Sequence, residues 1–133
     1  MPAFAPLTLN GLSGADHVFA PLGIDAKGVA TFTVPGTSPV GDEVLTVGVS
    51  RAPNGGRIKT EIRLAIPKVQ DVDVGGVIRP TLVRKGNITL TITTDPTAPH
   101  ADRDELVLLL SSMLNNIDAP SIVAVLTALT PYY

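Results

Sequence analysis

Val44-Leu45-Thr46-Val47-Gly48-Val49-Ser50, then the turn Ala52-Pro53-Asn54-Gly55-Gly56, then Lys59-Thr60-Glu61-Ile62-Arg63-Leu64-Ala65-Ile66 is the stretch on which the fold depends. In the first run Leu45, Val47 and Val49 alternate with Thr46, Gly48 and Ser50. In the second, Ile62, Leu64 and Ile66 fall on one side and Lys59, Glu61 and Arg63 on the other. Successive strand side chains point to opposite faces, so a period of two means one covered face and one wet face. A third run repeats the pattern, with Ile88, Leu90 and Ile92 set against Asn87, Thr89, Thr91 and Thr93. Together the three runs predict an antiparallel sheet with an apolar face and a broad polar face that carries cations.

Composition fits this reading. At 133 residues the chain is expected to be one domain. A hydrophobic fraction of 44% is enough for a core and argues against disorder. Aromatics are 4% and tryptophan is absent, so packing must rely on Leu, Ile, Val and Ala. The 12 Gly and 12 Pro suit short strands joined by tight turns. Without cysteine, disulfides and thiolate metal sites are excluded. A formal charge of -2 argues against a strongly basic nucleic-acid binder but allows local basic patches. The start Met1-Pro2-Ala3-Phe4-Ala5-Pro6 lacks the charged and apolar regions of a signal peptide. No apolar run approaches the roughly 20 residues that span a bilayer. An intracellular soluble protein without a membrane partner is expected.

Outward from the central hairpin, Leu7-Thr8-Leu9 and Val18-Phe19-Ala20 flank a turn-rich segment and predict an N-terminal hairpin over about 5–21. Val29 to Val34 reads as a strand stopped by Pro35-Gly36. Pro67 is expected to end the second run of the central hairpin, because proline cannot donate to a ladder. Residues 68–80 read as an extended segment turning in a flexible loop at Gly75-Gly76, and 81–94 as the last strand, with a possible bulge at Gly86. Then the period changes. Asp102-Arg103-Asp104-Glu105 predicts a helix start, with Asp102 as N-cap and Glu105 three positions on. A second helix is expected from Asp118-Ala119-Pro120 to just before Pro131. The fold class is α+β: an N-terminal hairpin, an antiparallel sheet of about five strands over 28–94, and two helices over 102–130 on one face of it.

The first helix carries Leu106, Val107, Leu108, Leu109, Leu110, Met113 and Leu114 nearly all round. Such a helix is buried on every side. A two-layer monomer covers one side only, and fully burying a Leu is worth roughly 1.5–3 kcal/mol. Two or three left exposed would offset much of a net stability of ~5–15 kcal/mol. The helix is therefore expected to pack on a second subunit, giving an obligate dimer with Leu106, Leu109, Leu110 and Met113 at the interface. The alternative is that the N-terminal hairpin covers it within one chain.

No enzyme is indicated, and no cofactor or metal is expected. His17 and His100 sit in turn-like contexts without a nucleophile and third partner, and read as surface loop residues. Phosphate loops, nucleophile elbows and zinc spacings are absent. Asp71-Val72-Asp73-Val74-Gly75 lacks the third ligand and distal Glu of a calcium loop. Asp102, Asp104 and Glu105 are explained by helix capping and dipole. The polar sheet face remains. Lys59 and Arg63 can meet phosphates, with Arg51, Arg57 and Lys85 nearby, while Thr, Ser and Asn can bond sugars and base edges. A merely solvated strand face is the alternative, with Glu61 in its middle and no stacking aromatics.

The order and spacing of the elements, with Lys27-Gly28-Val29-Ala30, Ile66-Pro67-Lys68-Val69, Val74-Gly75-Gly76-Val77 before Pro80, Ile88-Thr89-Leu90-Thr91-Ile92 and the ending Pro131-Tyr132-Tyr133, resemble the coat proteins of small single-stranded RNA bacteriophages, the leviviruses. The similarity runs over nearly the whole length. It implies an interlocked homodimer with one continuous sheet and intertwined helices. It also implies closure of dimers into an icosahedral T=3 shell in the virion, assembled in the cytoplasm of a bacterial host. The sheet's polar face would line the interior against genomic single-stranded RNA, and a phage maturation protein would be a further partner. The loop with Asp73, Gly75 and Gly76 would join dimers at the symmetry axes. Carried over by position, the RNA-binding residues implied are Val29, Thr46, Gly48, Ser50, Lys59, Glu61, Arg63, Asn87 and Thr89. Gly48 lacks a hydroxyl usual in the family, Glu61 replaces a neutral polar group, and Thr89 replaces an asparagine. Genome contact is thus implied first, with stem-loop binding and repression of replicase translation second. A dimeric RNA-binding regulator that forms no shell would use the same face.

Overall fold

The computed structural model describes residues 4–10, 16–36, 39–115, 122–129 and 131. The chain divides into two compact units, 1–93 and 94–133. The first holds an antiparallel sheet of strands β1 (Leu7–Asn10), β2 (Asp16–Ile24), β3 (Ala30–Val34), β4 (Glu43–Arg51), β5 (Ile58–Val74) and β6 (Val77–Thr94). Among the described residues they lie side by side in chain order as a six-stranded sheet. The second holds helices α1 (His100–Asn115) and α2 (Ile122–Ala128).

The β4–β5 register explains why this sheet has two chemical faces. Leu45 pairs with Leu64 and Val47 with Ile62, while Thr46 pairs with Arg63, Gly48 with Glu61 and Ser50 with Lys59. β3 joins in phase, with Phe32 opposite Leu45, and β2 sets Pro21 opposite Phe32. Phe19, two residues before Pro21, thus shares the apolar face. Phe19, Phe32 and Leu45 form the buried cluster, with Ala30, Val34, Val47, Ile62 and Leu64 packed on it. Phe4 adds an edge-on ring against Phe32 at 5.3 Å between centroids.

The N-terminal hairpin does not stand apart: β2 continues to Ile24 and pairs with β3, with a register shift between Pro21 and Gly23. Its expected turn at 11–15, the start of the second helix at Asp118–Pro120, and Tyr132-Tyr133 lie outside the described residues.

Three local expectations are corrected. Pro67 does not end its strand, since β5 runs through it to Val74. Pairing with β4 reaches only Ala65, so Pro67 falls where the missing N–H breaks no bond to that neighbour. Residues 68–80 form no open loop. β5 and β6 meet at Gly75-Gly76, with φ of 62° and 84°. Positive φ at both central positions is what a type I′ hairpin turn requires, and glycine takes it without a Cβ clash. The Asp73 carboxylate accepts the Gly76 N–H at 2.9 Å and fastens this turn. Finally, α1 starts at His100 rather than at Asp102, so Asp102 lies inside the first turn. It acts there on the helix dipole rather than as the cap.

Replacing Phe19, 1% exposed, by Ala should lower stability by about 3–5 kcal/mol, read as a fall in the urea midpoint at fixed protein concentration. An unchanged midpoint would show that the cluster is not the core of the sheet.

Candidate functional site

On the polar face, β4 and β5 bring Thr46, Gly48 and Ser50 across from Arg63, Glu61 and Lys59. Glu61 stands between the two cations on its own strand. Its carboxylate meets the Lys59 ammonium at 3.0 Å and also pairs with the Arg63 guanidinium. A strand repeats its direction every two residues, so 59, 61 and 63 necessarily form a row. The Lys59 hydrogen bond is the main cause holding the Glu61 carboxyl below its ordinary value of 4.5; partial desolvation opposes it, and the Arg63 charge adds to the lowering. At neutral pH the row therefore carries one net positive charge.

Two shallow hollows lie along this face. One, of about 270 Å³, has Val29, Thr46, Gly48, Ser50, Glu61 and Arg63 in its lining. The other, of about 300 Å³, adds Asn87 and Thr89 to Thr46 and Arg63. Thr46 and Arg63 belong to both, so the hollows are contiguous. Eight of the nine residues singled out from the sequence line them, and Lys59 is tied in through Glu61. Gly48 and Val29 approach closely: a Cβ at Gly48 would come 3.0 Å from Val29 Cγ2, so Val29 would have to give way by a few tenths of an ångström.

Lys27 also lines the first hollow and was not among those nine residues. It sits on the β2–β3 turn, where the Asp25 carboxylate accepts the backbone N–H groups of Lys27 and Val29 at 2.8 and 2.9 Å. The pattern Asp25-Ala26-Lys27-Gly28 is a turn signal that could have pointed to it, since an Asp that caps its own turn aims the following residues.

The remaining assignments fall elsewhere. Leu106, Leu109 and Met113 on α1 are 44%, 52% and 44% exposed, Leu110 is partly covered, and α1 buries no residue. Asp73, Gly75 and Gly76 form the exposed tip between β5 and β6. His17 is not a loop residue. It lies on β2, half-buried, with Nδ1 2.6 Å from the Glu43 carboxylate of β4. His100 opens α1 and contacts Asp104 at 2.9 Å.

A two-faced six-stranded sheet with a polar hollowed face, followed by two apolar helices, defines a coat-protein fold of the small RNA phages. Residues 2–133 match the levivirus coat protein family, and the chain belongs to it. It is 28% identical over 100 residues to the capsid protein of Pseudomonas phage PRR1, covering 74% of each chain. Among solved structures, the virus-like particle of Beihai levi-like virus 21 matches with a TM-score of 0.85 at 26% identity, over 99% of both chains. The bacteriophage GA capsid protein shares the fold at a TM-score of 0.79 and 20% identity, over 98% of both chains. As a capsid protein the chain is a structural component of the virion, not an enzyme, and it associates with copies of itself.

The lowered Glu61 carboxyl gives a directional test. A folded value below the unfolded one means that the row's contribution to stability is present above about pH 4.5 and is lost as the pH falls through the folded value. NMR titration of Glu61 should show an apparent pKa below 4.5, and Lys59→Ala should move it back up. A titration that Lys59→Ala leaves unmoved would mean that the contact does not form in solution.

Proposed function

We propose that this chain dimerises through α1 and through the free edge of β6, and that the dimers close into an icosahedral T=3 shell around single-stranded RNA. The observation that carries the reading is the state of α1. Leu106, Val107, Leu108, Leu109, Met113 and Leu114 are all between 44% and 66% exposed on one helix. Burying such side chains is worth roughly 1.5–3 kcal/mol each, so a second copy is the natural cover. Among the described residues β6 is the terminal strand of the sheet and has no neighbour on its outer side. An edge of 18 residues presents a row of unsatisfied backbone groups, and pairing with its counterpart joins two sheets into one. The sheet and helix units then act as parts of one coat domain, completed by the partner.

Joining two sheets at β6 would also join their polar faces, since Asn87 and Thr89 lie on that strand. Lys59, Arg63 and Lys27 supply cations, and Thr46, Ser50, Asn87 and Thr89 supply hydrogen-bonding groups. This combination suits a single-stranded nucleic acid held by its backbone. The nine residues named from the sequence are the proposed RNA contacts, with replicase repression by stem-loop binding as a secondary role. The tip at Asp73, Gly75 and Gly76 is the proposed contact between dimers. The maturation protein is a further proposed partner, and assembly is placed in the host cytoplasm.

The deciding experiment expresses the chain in bacteria and combines size-exclusion chromatography, electron microscopy and an absorbance ratio. Uniform shells carrying RNA are expected. A discrete dimer under all salt and RNA conditions would instead favour the regulator that builds no shell.

Leu109→Asp should abolish the soluble dimer, and a normal dimer would refute helix-mediated pairing. Combining Lys59→Ala with Arg63→Ala should flatten the salt dependence of RNA binding, by a slope of about 0.7 per lost single-strand phosphate contact. An unchanged slope would place the RNA elsewhere.

A further inference from the structure

The hairpin tips at the two ends of β5 carry opposite charge. At its start, Arg51 and Arg57 flank the turn 52–56, and both are exposed. The Ala52 N–H donates to the Arg57 carbonyl at 3.2 Å, and Asn54 and Gly55 take φ of 63° and 73°, so the turn is fixed by its backbone. No Asp or Glu occurs from Val44 to Thr60. At the far end, Asp71 and Asp73 stand exposed before Gly75-Gly76, and Arg79 lies just past the turn on β6. One oxygen of Asp73 accepts the Gly76 N–H at 2.9 Å and the other is left over. Among the described residues none of these five side chains enters an ion pair. One tip thus offers two guanidiniums, and the other, with two carboxylates and one guanidinium, has a net charge of -1. β5 is 17 residues long, which sets the tips roughly 55 Å apart. Exposed charges are screened beyond about 8 Å at physiological ionic strength. Within one chain the tips are too far apart to neutralise one another.

We propose that the basic tip of one dimer docks on the acidic tip of a neighbouring dimer, with Arg51 and Arg57 meeting Asp71 and Asp73. The inference rests on the shell reading above and supplies the counter-surface for the Asp73 tip. Pairing two β6 edges with both polar faces on one side relates the sheets by a two-fold axis, which reverses the second sheet. Each end of the dimer then carries the acidic tip of one chain and the basic tip of the other. The two patches differ, so the contact passes from copy to copy and is completed by ring closure, as a shell requires. Acidic tips gathered with one another alone would repel. A guanidinium from the next copy removes that repulsion, and its planar fork grips a carboxylate through two N–H donors. Both turns are already fixed by backbone bonds, so little further ordering opposes the contact.

The test reassembles purified full-length dimers with one fixed RNA and counts shells by electron microscopy and light scattering. Arg51→Glu with Arg57→Glu makes both tips acidic. Asp71→Lys takes the other tip from -1 to +1 and spares the Asp73 bond to Gly76. Each variant should elute as a dimer yet lose shells by roughly tenfold or more, because like charges then face each other. The chain carrying all three substitutions exchanges the two signs and should recover to within about threefold of the wild type. Loss of RNA contacts would not give this pattern, since Asp71→Lys adds a cation and the exchanged chain still lacks both arginines. The milder Arg57→Gln and Asp71→Asn should each raise the dimer concentration needed for assembly, and together by less than the product of their separate effects. Normal shell yields from both single-tip variants, or no recovery in an exchanged chain that forms dimers, would overturn the tip contact and leave the shell reading standing. Multiplicative effects of the two milder substitutions would do the same. Absence of shells from the wild-type chain would overturn both.

Discussion

The pairing of β4 with β5 is the constraint on which the other features depend. Its register sets Leu45 against Leu64 on one face and Thr46 against Arg63 on the other. A slip of one residue would turn Lys59, Glu61 and Arg63 onto the apolar face and Leu64 into water. That penalty locks the register, and with it the placing of Phe19 and Phe32 against Leu45. The same lock aligns Gly48 with Glu61, so the polar hollow follows from the packing of the opposite face.

Burial is unevenly divided between the two units. Among the described residues the sheet builds a small core around Phe19, Phe32 and Leu45, whereas α1 buries none. A pair of short helices has too little surface to cover an all-round apolar helix, and its exposed leucines call for cover from elsewhere. Membership in a coat-protein family agrees with the proposal that a copy of the same chain covers that surface. The long open edge of β6 belongs to the same logic, because an exposed edge strand is a liability unless something pairs with it.

Electrostatics on the polar face are restrained rather than strongly basic. Glu61 takes up charge from both neighbouring cations, and they in turn keep it ionised. A face of this kind attracts an anionic polymer more weakly than an all-cation strand would, but it gains an acceptor at a fixed position. His17 and Glu43 show a comparable pairing on the apolar side, linking β2 to β4 at the end of β3, whose last residue Val34 pairs with Glu43.

Period and composition over many residues were enough to read the two faces, the strand-to-helix change after Thr94 and the apolar excess of α1. The nine residues implied by the family resemblance include Thr46, Arg63, Asn87 and Thr89, which alternation puts on one face, and eight of the nine line two joined hollows. Tertiary structure alone decided what depends on distance between segments. Pro67 continues its strand because β4 has stopped pairing by then, and that end point is invisible in the local sequence. His17 looked like a turn residue until a neighbour 26 positions away supplied its partner. Glu61 read as an intruder among cations, and became their common partner only once side-chain contacts closed the row. Lys27 joined the site because a turn fastened by Asp25 brings it to the hollow. Periodicity tells which face a residue takes; only the folded chain tells what it meets there.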